Sequence, residues 1–126
     1  MDIAEKSIFE AIGGLEAIVA AVEIFYDKVM EDDRLSPFFS NLDMDAQQAK
    51  MIAFMAWAFG GPDEFKGRDL RIAHQHLVKD MGLNDSHFDA VAIHLKDTLQ
   101  DLDVESGLIQ RVLDLVDSTR DDVLNR

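Results

Sequence analysis

A single histidine interrupts an apolar helical stripe near the middle of the chain. Leu70 lies four residues before His74, and Leu77 and Val78 lie three and four residues after it, so the imidazole leaves the helix into an apolar surface. Neutral imidazole is the commonest metal ligand among protein side chains. A lone histidine of this kind is also often a core residue, hydrogen-bonded to a backbone carbonyl, and helical spacing alone favours that structural interpretation.

Three more polar side chains, Tyr26, Gln47 and Lys50, share apolar helical faces. Burial of an unpaired polar group costs about 1–3 kcal/mol, so each of them needs a partner or an exit to solvent. Tyr26 fits a core aromatic residue with its hydroxyl at the rim. Gln47 lies one turn before Met51, so its amide either pairs inside the protein or faces a ligand cavity. Lys50 lies at the edge of that face, and its long stem can point outward or inward.

Composition excludes several classes of function. The chain has 126 residues, 48% of them hydrophobic, and we expect one domain over residues 1–126. A net charge of −13 repels phosphates and excludes nucleic-acid and membrane-surface partners. The absence of cysteine excludes thiolate chemistry. The sequence begins without a signal peptide, and its longest uncharged stretch, residues 51–62, is too short to span a bilayer, so we expect a cytoplasmic protein.

Apolar residues recur at helical spacing almost throughout, which predicts an all-α fold. The histidines His76, His87 and His94 fall on mostly polar helix faces and are predicted to be solvated. The second helix has an apolar stripe of Leu15, Ile18, Val19, Val22, Phe25, Tyr26 and Val29. The first half of the chain is predicted to form a short helix opened by Ser7 and ended by Gly13-Gly14, a helix over 15–29, a turn opened by Ser36-Pro37 and a helix over 43–59. A loop over 60–69 follows. The second half is predicted to form a helix capped by Asp69 and ending at Met81, a helix opened at 84–86 and a last helix over 108–123.

Several segments, in the same order along the chain, resemble the group I truncated haemoglobins. The stretch from Gly67 to Val78 resembles their proximal histidine segment. Three upstream segments, Phe25-Tyr26, Phe38-Phe39 and 58–61, resemble their distal tyrosine, their haem-stacking phenylalanine and their double-glycine helix stop. The resemblance covers nearly the whole chain. It implies a truncated globin fold, in which a 2-on-2 sandwich of antiparallel helix pairs encloses haem.

The resemblance makes His74 the proximal ligand of the haem iron, in place of the structural interpretation given above. Phe39 would stack on the porphyrin. Arg68 and Arg71 would pair with the haem propionates, because guanidinium matches a carboxylate bidentately, and Lys66 is a further candidate. The other implied contacts on the haem faces are Met51, Phe54, Leu77, Met81, Phe88 and Val91.

On the distal side, Tyr26 and Gln47 match positions from which the family donates hydrogen bonds to a diatomic ligand. Met51 stands where many members have another polar residue, so the donors are mainly these two. Some cyanobacterial members have a distal histidine at the position of Lys50. An algal branch of the family has a lysine there, as this chain does. Two interpretations of Lys50 remain open: its neutral amine binds iron as a sixth ligand, or its ammonium pairs with a propionate. Thr119 stands where those cyanobacterial members attach haem covalently through a histidine, which implies non-covalent haem b.

The implied function is binding of dioxygen, nitric oxide and carbon monoxide by a monomer, with an electron-donating reductase as partner. The expected roles are oxygen binding or transport, or detoxification of nitric oxide and reactive nitrogen species. The chain has no dedicated catalytic motif, so any nitric oxide dioxygenase or peroxidase-like activity would arise at the haem. The alternative from another class, a histidine phosphotransfer module, requires an exposed histidine followed by Lys and Gly, whereas Gln75-His76 follow His74. A di-iron bundle requires Glu-x-x-His pairs, which do not occur.

Overall fold

The computed structural model describes residues 8–60 and 67–126, and these residues form helices and turns without a strand. The all-α prediction is therefore confirmed. None of the described helices is long and apolar enough to cross a bilayer. In chain order the elements are α1 (Ile8–Ala11), α2 (Leu15–Glu31), a 3-10 turn (Ser36–Phe39), α3 (Met44–Ala58), α4 (Gly67–Met81), α5 (Asp85–Asp101), α6 (Ser106–Asp117) and α7 (Arg120–Val123).

Most helix boundaries follow the local signals in the sequence. Gly13 and Gly14 separate α1 from α2 with φ values of +111° and +73°, in a region that favours glycine. Asp43 caps α3, since its carboxylate accepts hydrogen bonds from the amides of Asp45 and Ala46. These boundaries confirm the predicted helix ends. The predicted capping residue Ser7 and most of the predicted loop, residues 61–66, lie outside the described residues.

Two boundaries differ from the prediction. Helix α4 begins at Gly67, so Asp69 lies inside its first turn and is not its N-cap. The predicted last helix is interrupted at Ser118 and Thr119 and forms α6 and α7. At this break the hydroxyl of Thr119 donates to the carbonyl of Val116. Such side-chain bonds compete with the helical backbone pattern.

The core lies around α2, which packs against both α3 and α5, while α5 also packs against α6. The largest fully buried side chains are Phe59, Ile18, Leu35, Met55, Leu95, Leu99, Val22, Val29 and Val112. Leu15 and Val19 are 57% and 37% exposed, so the buried stripe of α2 is narrower than predicted. Both residues lie in the first two turns of the helix, along the edge of that stripe.

Helix α4 packs chiefly against α7 rather than against α2 or α3. His74 stands on α4, whereas Tyr26 and Gln47 stand on α2 and α3, which pack against each other.

Candidate haem site

The imidazole of His74 is half-buried on α4 and held by a backbone carbonyl. Its Nδ1 lies 2.8 Å from the oxygen of Leu70, one turn earlier. Because a carbonyl oxygen can only accept, a neutral ring must carry its proton on Nδ1. Nε2 then keeps its lone pair, and within the described part of the chain it has no hydrogen-bond partner.

The protonation state of His74 suits a metal ligand. Burial lowers the pKa of the imidazole below its ordinary value, the bond to Leu70 opposes this shift, and the nearby His76 adds to it. The ring is therefore neutral at neutral pH, and a neutral ring nitrogen can bind iron. The predicted hydrogen bond to a backbone carbonyl is present, but it occupies the other nitrogen and leaves Nε2 available.

The distal residues predicted from the sequence lie in contact with each other. Gln47 donates a hydrogen bond from Nε2 to the phenolic oxygen of Tyr26, 3.1 Å away. Tyr26 is only 4% exposed and packs edge-on against Phe25 and Phe39, with ring centroids 5.1 Å and 5.7 Å away. Burial raises the pKa of Tyr26, and the bond from Gln47 offsets this in part. The phenol thus stays protonated and, as an acceptor from Gln47, keeps its own O–H to donate.

Apolar side chains predicted to contact haem come from several elements. Phe39, Met51, Phe54, Leu77 and Val91 are half-buried and stand on the 3-10 turn, α3, α4 and α5. Side chains of this kind provide the apolar surroundings that a flat macrocycle such as haem requires.

Two of the other predicted haem contacts differ in exposure from these half-buried side chains. Met81 is the last residue of α4 and is 42% exposed. Phe88 is buried, but the guanidinium of Arg120 covers its ring at 4.4 Å from the centroid. Contacts of these two side chains with haem stay predictions.

The cations predicted to bind propionates have different outcomes. Arg71 directs Nη1 at the carboxylate of Asp122, 3.1 Å away, and at the carbonyl of Arg126, 3.2 Å away. This structural role was not predicted, because the partners lie about 50 residues further along the chain. Its propionate contact stays a prediction. Lys66 and the side chain of Arg68 lie outside the described residues.

Lys50 is exposed on α3, one turn after Gln47. This position is compatible with the predicted edge of the apolar face. Neither interpretation of its amine, as an iron ligand or as a propionate partner, is tested by this exposure.

His76 is exposed as predicted, whereas His87 and His94 are only partly exposed and each forms a side-chain hydrogen bond that was not predicted. His87 accepts a hydrogen bond from the amide of Asn84 at 3.0 Å through Nδ1, which completes a capping box at the start of α5. The spacing of these two residues was the available sequence signal, although Glu or Gln is usual at the second position.

His94 is partly buried because the turn after α2 covers it. Its Nε2 lies 2.7 Å from Asp32 Oδ2, and the two side chains are 18% and 10% exposed. Hydrogen bonds to its carboxylate hold the pKa of Asp32 well below its usual range. The bond from Arg34 has the largest effect, and the bond from His94 comes second. Since the partners are far apart in sequence, no local pattern indicated this contact.

Comparison with known proteins identifies the class to which this fold and site belong. The bacterial-like globin family model matches residues 7–125. The chain is 49% identical over 119 residues to the group 1 truncated haemoglobin LI410 of Chlamydomonas moewusii, covering 94% of this chain and 68% of that protein. It is 43% identical over 123 residues to the group 1 truncated haemoglobin GlbN of Synechocystis sp., covering 96% and 99% of the two chains.

A solved structure agrees with these relatives. The 2/2 haemoglobin of Synechococcus sp. PCC 7002, in the cyanomet state with covalently attached haem, superposes with a TM-score of 0.90 at 49% identity and covers 96% of this chain and all of that one. The chain therefore belongs to the bacterial-like globin family and is similar to its group 1 truncated haemoglobins. Family membership supports haem-based binding of a diatomic ligand such as dioxygen and confirms the predicted 2-on-2 fold.

Proposed function

We propose that this protein binds haem b through His74 and holds a diatomic ligand on the opposite face of the haem, next to Tyr26 and Gln47. The observation that carries the proposal is the state of His74, whose Nδ1 is bonded to Leu70 while Nε2 is unpaired among the described residues. A ferrous haem supplies an iron centre that binds dioxygen, nitric oxide or carbon monoxide. The protein would supply the imidazole nitrogen of His74, the apolar walls and the donors Tyr26 and Gln47.

On the proximal side, the Leu70 carbonyl orients the His74 ring and increases its basicity. A histidine that binds a metal usually donates its other N–H to an acceptor of this kind, which fixes the tautomer and strengthens the ligand. Leu77 and Val78, on the turn after His74, provide half-buried apolar surface on the same helix. The proximal wall can therefore hold the ring in one orientation through one hydrogen bond and apolar contacts.

On the distal side, Gln47 orients the Tyr26 phenol, and the phenol carries the donor proton. A hydrogen-bond donor stabilises a ligand that gains partial negative charge, and this effect is larger in a dry site than in water. Tyr26 is buried and its pKa is raised, so the donor persists at neutral pH. This pair is expected to slow the loss of dioxygen more than the loss of carbon monoxide, which gains less charge.

Haem is held without a covalent bond in this proposal. The solved relative from Synechococcus carries covalently attached haem. Here Thr119 stands where the resemblance described above implies that cyanobacterial members have the attaching histidine. Thr119 is 5% exposed, and its hydroxyl already donates to the Val116 carbonyl. A hydroxyl in this state cannot replace an imidazole as the attaching group.

The proposed physiological role is either oxygen binding or conversion of nitric oxide to nitrate by the oxygenated protein. The second role oxidises the iron and needs a reductase to restore the ferrous state. The net charge of −13 favours a donor with a basic face, since complementary charge speeds encounter. We further propose a monomer in the cytoplasm.

A haem titration tests this function. Haem added to the haem-free protein should produce a Soret band that reaches its end point at one haem per chain. The reduced protein should then form a dioxygen complex that reverses on removal of the gas. Addition of nitric oxide to this complex should yield nitrate if the protein detoxifies it. A titration without a saturating end point would contradict haem binding, and irreversible oxidation by dioxygen would contradict the proposed oxygen-binding role.

A further inference from the structure

The C-terminal residues 122–126 are hydrogen-bonded to the helix that carries His74. The Arg71 guanidinium donates to the Asp122 carboxylate at 3.1 Å and to the Arg126 carbonyl at 3.2 Å. In the opposite direction, Asn125 donates from its side-chain amide to the Arg71 carbonyl at 3.1 Å. Residues 122–126 thus hold both the guanidinium and the backbone carbonyl of Arg71, and we call this segment the C-terminal clamp.

The backbone of the clamp aims Asn125 at α4. Asn125 has a φ of +59°, a left-handed conformation that asparagine tolerates better than most residues. The amide of Arg126 closes this turn on the carbonyl of Asp121 at 2.9 Å, and the preceding Leu124 is 4% exposed. A buried side chain and a closed turn therefore fix the direction of the Asn125 amide.

The clamp and the adjacent Arg120 are also joined to α5 through charged groups. Arg126 pairs with Asp85 at 2.7 Å, and Arg120 pairs with Asp85 at 3.0 Å and with Asp89 at 2.7 Å. Arg120 further lies over the ring of Phe88. Residues 120–126 therefore connect the first turns of α5 with the second turn of α4, around Arg71.

The carbonyl held by Asn125 is next to the carbonyl that holds the proximal ring. Leu70 accepts from His74 Nδ1 at 2.8 Å, and Arg71 is the following residue. The two carbonyls belong to consecutive planar peptide groups that share the α-carbon of Arg71, so the bond from Asn125 restrains the helical backbone directly beside the carbonyl that holds the imidazole. The path from Asn125 to the imidazole contains two hydrogen bonds and a short length of helical backbone.

We propose that Asn125 is a positioning residue for His74, and that the C-terminal clamp sets the orientation of the proximal imidazole and the strength of its bond to iron. This inference rests on the proposed role of His74. It assigns a function to the hydrogen bond between Asn125 and Arg71.

Two substitutions of Asn125 test the proposal. Asn125→Gly keeps a residue that adopts positive φ but removes the amide, and Asn125→Asp keeps the size but removes the donor. Gln110→Ala is the matched control, since it removes an exposed side-chain amide on α6 whose hydrogen bond, within the described residues, is to Asp114. The first readout uses the haem-free protein, in which imidazole nitrogen NMR reports the tautomer of His74 and hydrogen exchange reports opening of α4.

In both Asn125 variants we expect amides of residues 74–76 to exchange about three- to tenfold faster, the factor corresponding to loss of one ordinary hydrogen bond. The His74 ring should also gain a detectable share of the Nε2-protonated tautomer. In the ferrous haem-bound protein, the iron–histidine stretching band should move to lower frequency. Gln110→Ala should change none of these signals.

Unchanged ring and band signals in Asn125→Gly would overturn the proposal, as would an equal rise in exchange in every helix, which indicates general destabilisation. Failure of the proposed function has a different signature. If His74 does not bind iron, the wild-type ferrous protein lacks the iron–histidine band or keeps it in His74→Ala. The tautomer and exchange measurements on the haem-free protein still show whether Asn125 positions the ring.

Discussion

The amide of Gln47, on α3, donates a hydrogen bond to the phenolic oxygen of Tyr26, on α2, over 3.1 Å. This bond fixes which proton remains for a ligand: the phenol accepts from Gln47, so its own O–H is directed elsewhere. The buried ring packs against Phe39 on the 3-10 turn. Three elements thus position one donor.

Removal of the Tyr26 hydroxyl should speed dioxygen loss. In Tyr26→Phe we expect the dissociation rate to rise about 10- to 100-fold, the effect of losing roughly 1.5–3 kcal/mol of hydrogen bonding to a charged acceptor. Gln47→Leu should produce a smaller rise, because the phenol remains but is no longer oriented. Stopped-flow displacement of dioxygen by carbon monoxide measures both rates. Gln48→Leu, on the next position of α3, serves as the control, and a wild-type rate in Tyr26→Phe would contradict the assignment.

The two interpretations of Lys50 predict different spectra. If its amine binds iron, the ferric protein shows a low-spin spectrum that increases as pH rises, because only the unprotonated amine has a free electron pair. Lys50→Ala should then be high-spin throughout, while Lys79→Ala on α4 should behave as wild type. If the ammonium instead pairs with a propionate, Lys50→Ala keeps the wild-type spin state and loses haem faster. Absorption spectra against pH and haem transfer to an acceptor protein decide between them.

Acid–organic extraction should remove unmodified haem from the protein. Thr119 has no imidazole, and its hydroxyl is bonded to Val116, so no group at this position can form the covalent link. Mass spectrometry of the reduced and then denatured haem-bound protein should give the mass of the polypeptide alone. A species heavier by one haem would contradict the proposal of non-covalent haem b.

Asp32 should make the stability of the protein depend on pH in the acidic range. Hydrogen bonds from Arg34 and His94 lower the folded-state pKa of Asp32, so its contribution is complete above the unfolded value of about 4 and declines as pH falls below it. Asp32→Asn should lower the free energy of unfolding by about 1–2 kcal/mol near pH 7. The loss is not larger because the Arg34 side chain is 62% exposed, and solvent weakens its interaction with Asp32.

Urea unfolding of wild type and Asp32→Asn at several pH values measures this contribution. The difference between the two proteins should shrink as pH falls below about 4. Asp33→Asn is the control, since Asp33 is exposed in the same turn. A difference that stays constant down to low pH would show that the carboxylate charge is not the cause.

Much of the fold could be predicted because its signals are local. Apolar periodicity predicts α2 to α5, with the stop at Gly13-Gly14 before α2, and the structure confirms these helices. The break at Thr119 was missed because a hydroxyl bonded to its own helix leaves no periodic signal.

The contact between the two distal residues could be predicted from the sequence better than the contacts of Arg71 and His94. Tyr26 and Gln47 stood out as polar residues on apolar faces, and the structure brings them together. The partners of Arg71 and His94 could not be predicted, because each contact joins segments more than 50 residues apart. Such contacts depend on how whole helices pack, which a pattern within one helix does not specify.

The most direct test of this account is the iron–histidine stretching band of the ferrous protein, measured by resonance Raman spectroscopy. We predict that wild type and His76→Gly show the band, that His74→Gly lacks it, and that added imidazole restores a five-coordinate imidazole spectrum to His74→Gly. Persistence of the wild-type band in His74→Gly without imidazole would show that another residue binds the iron, and would contradict the central claim.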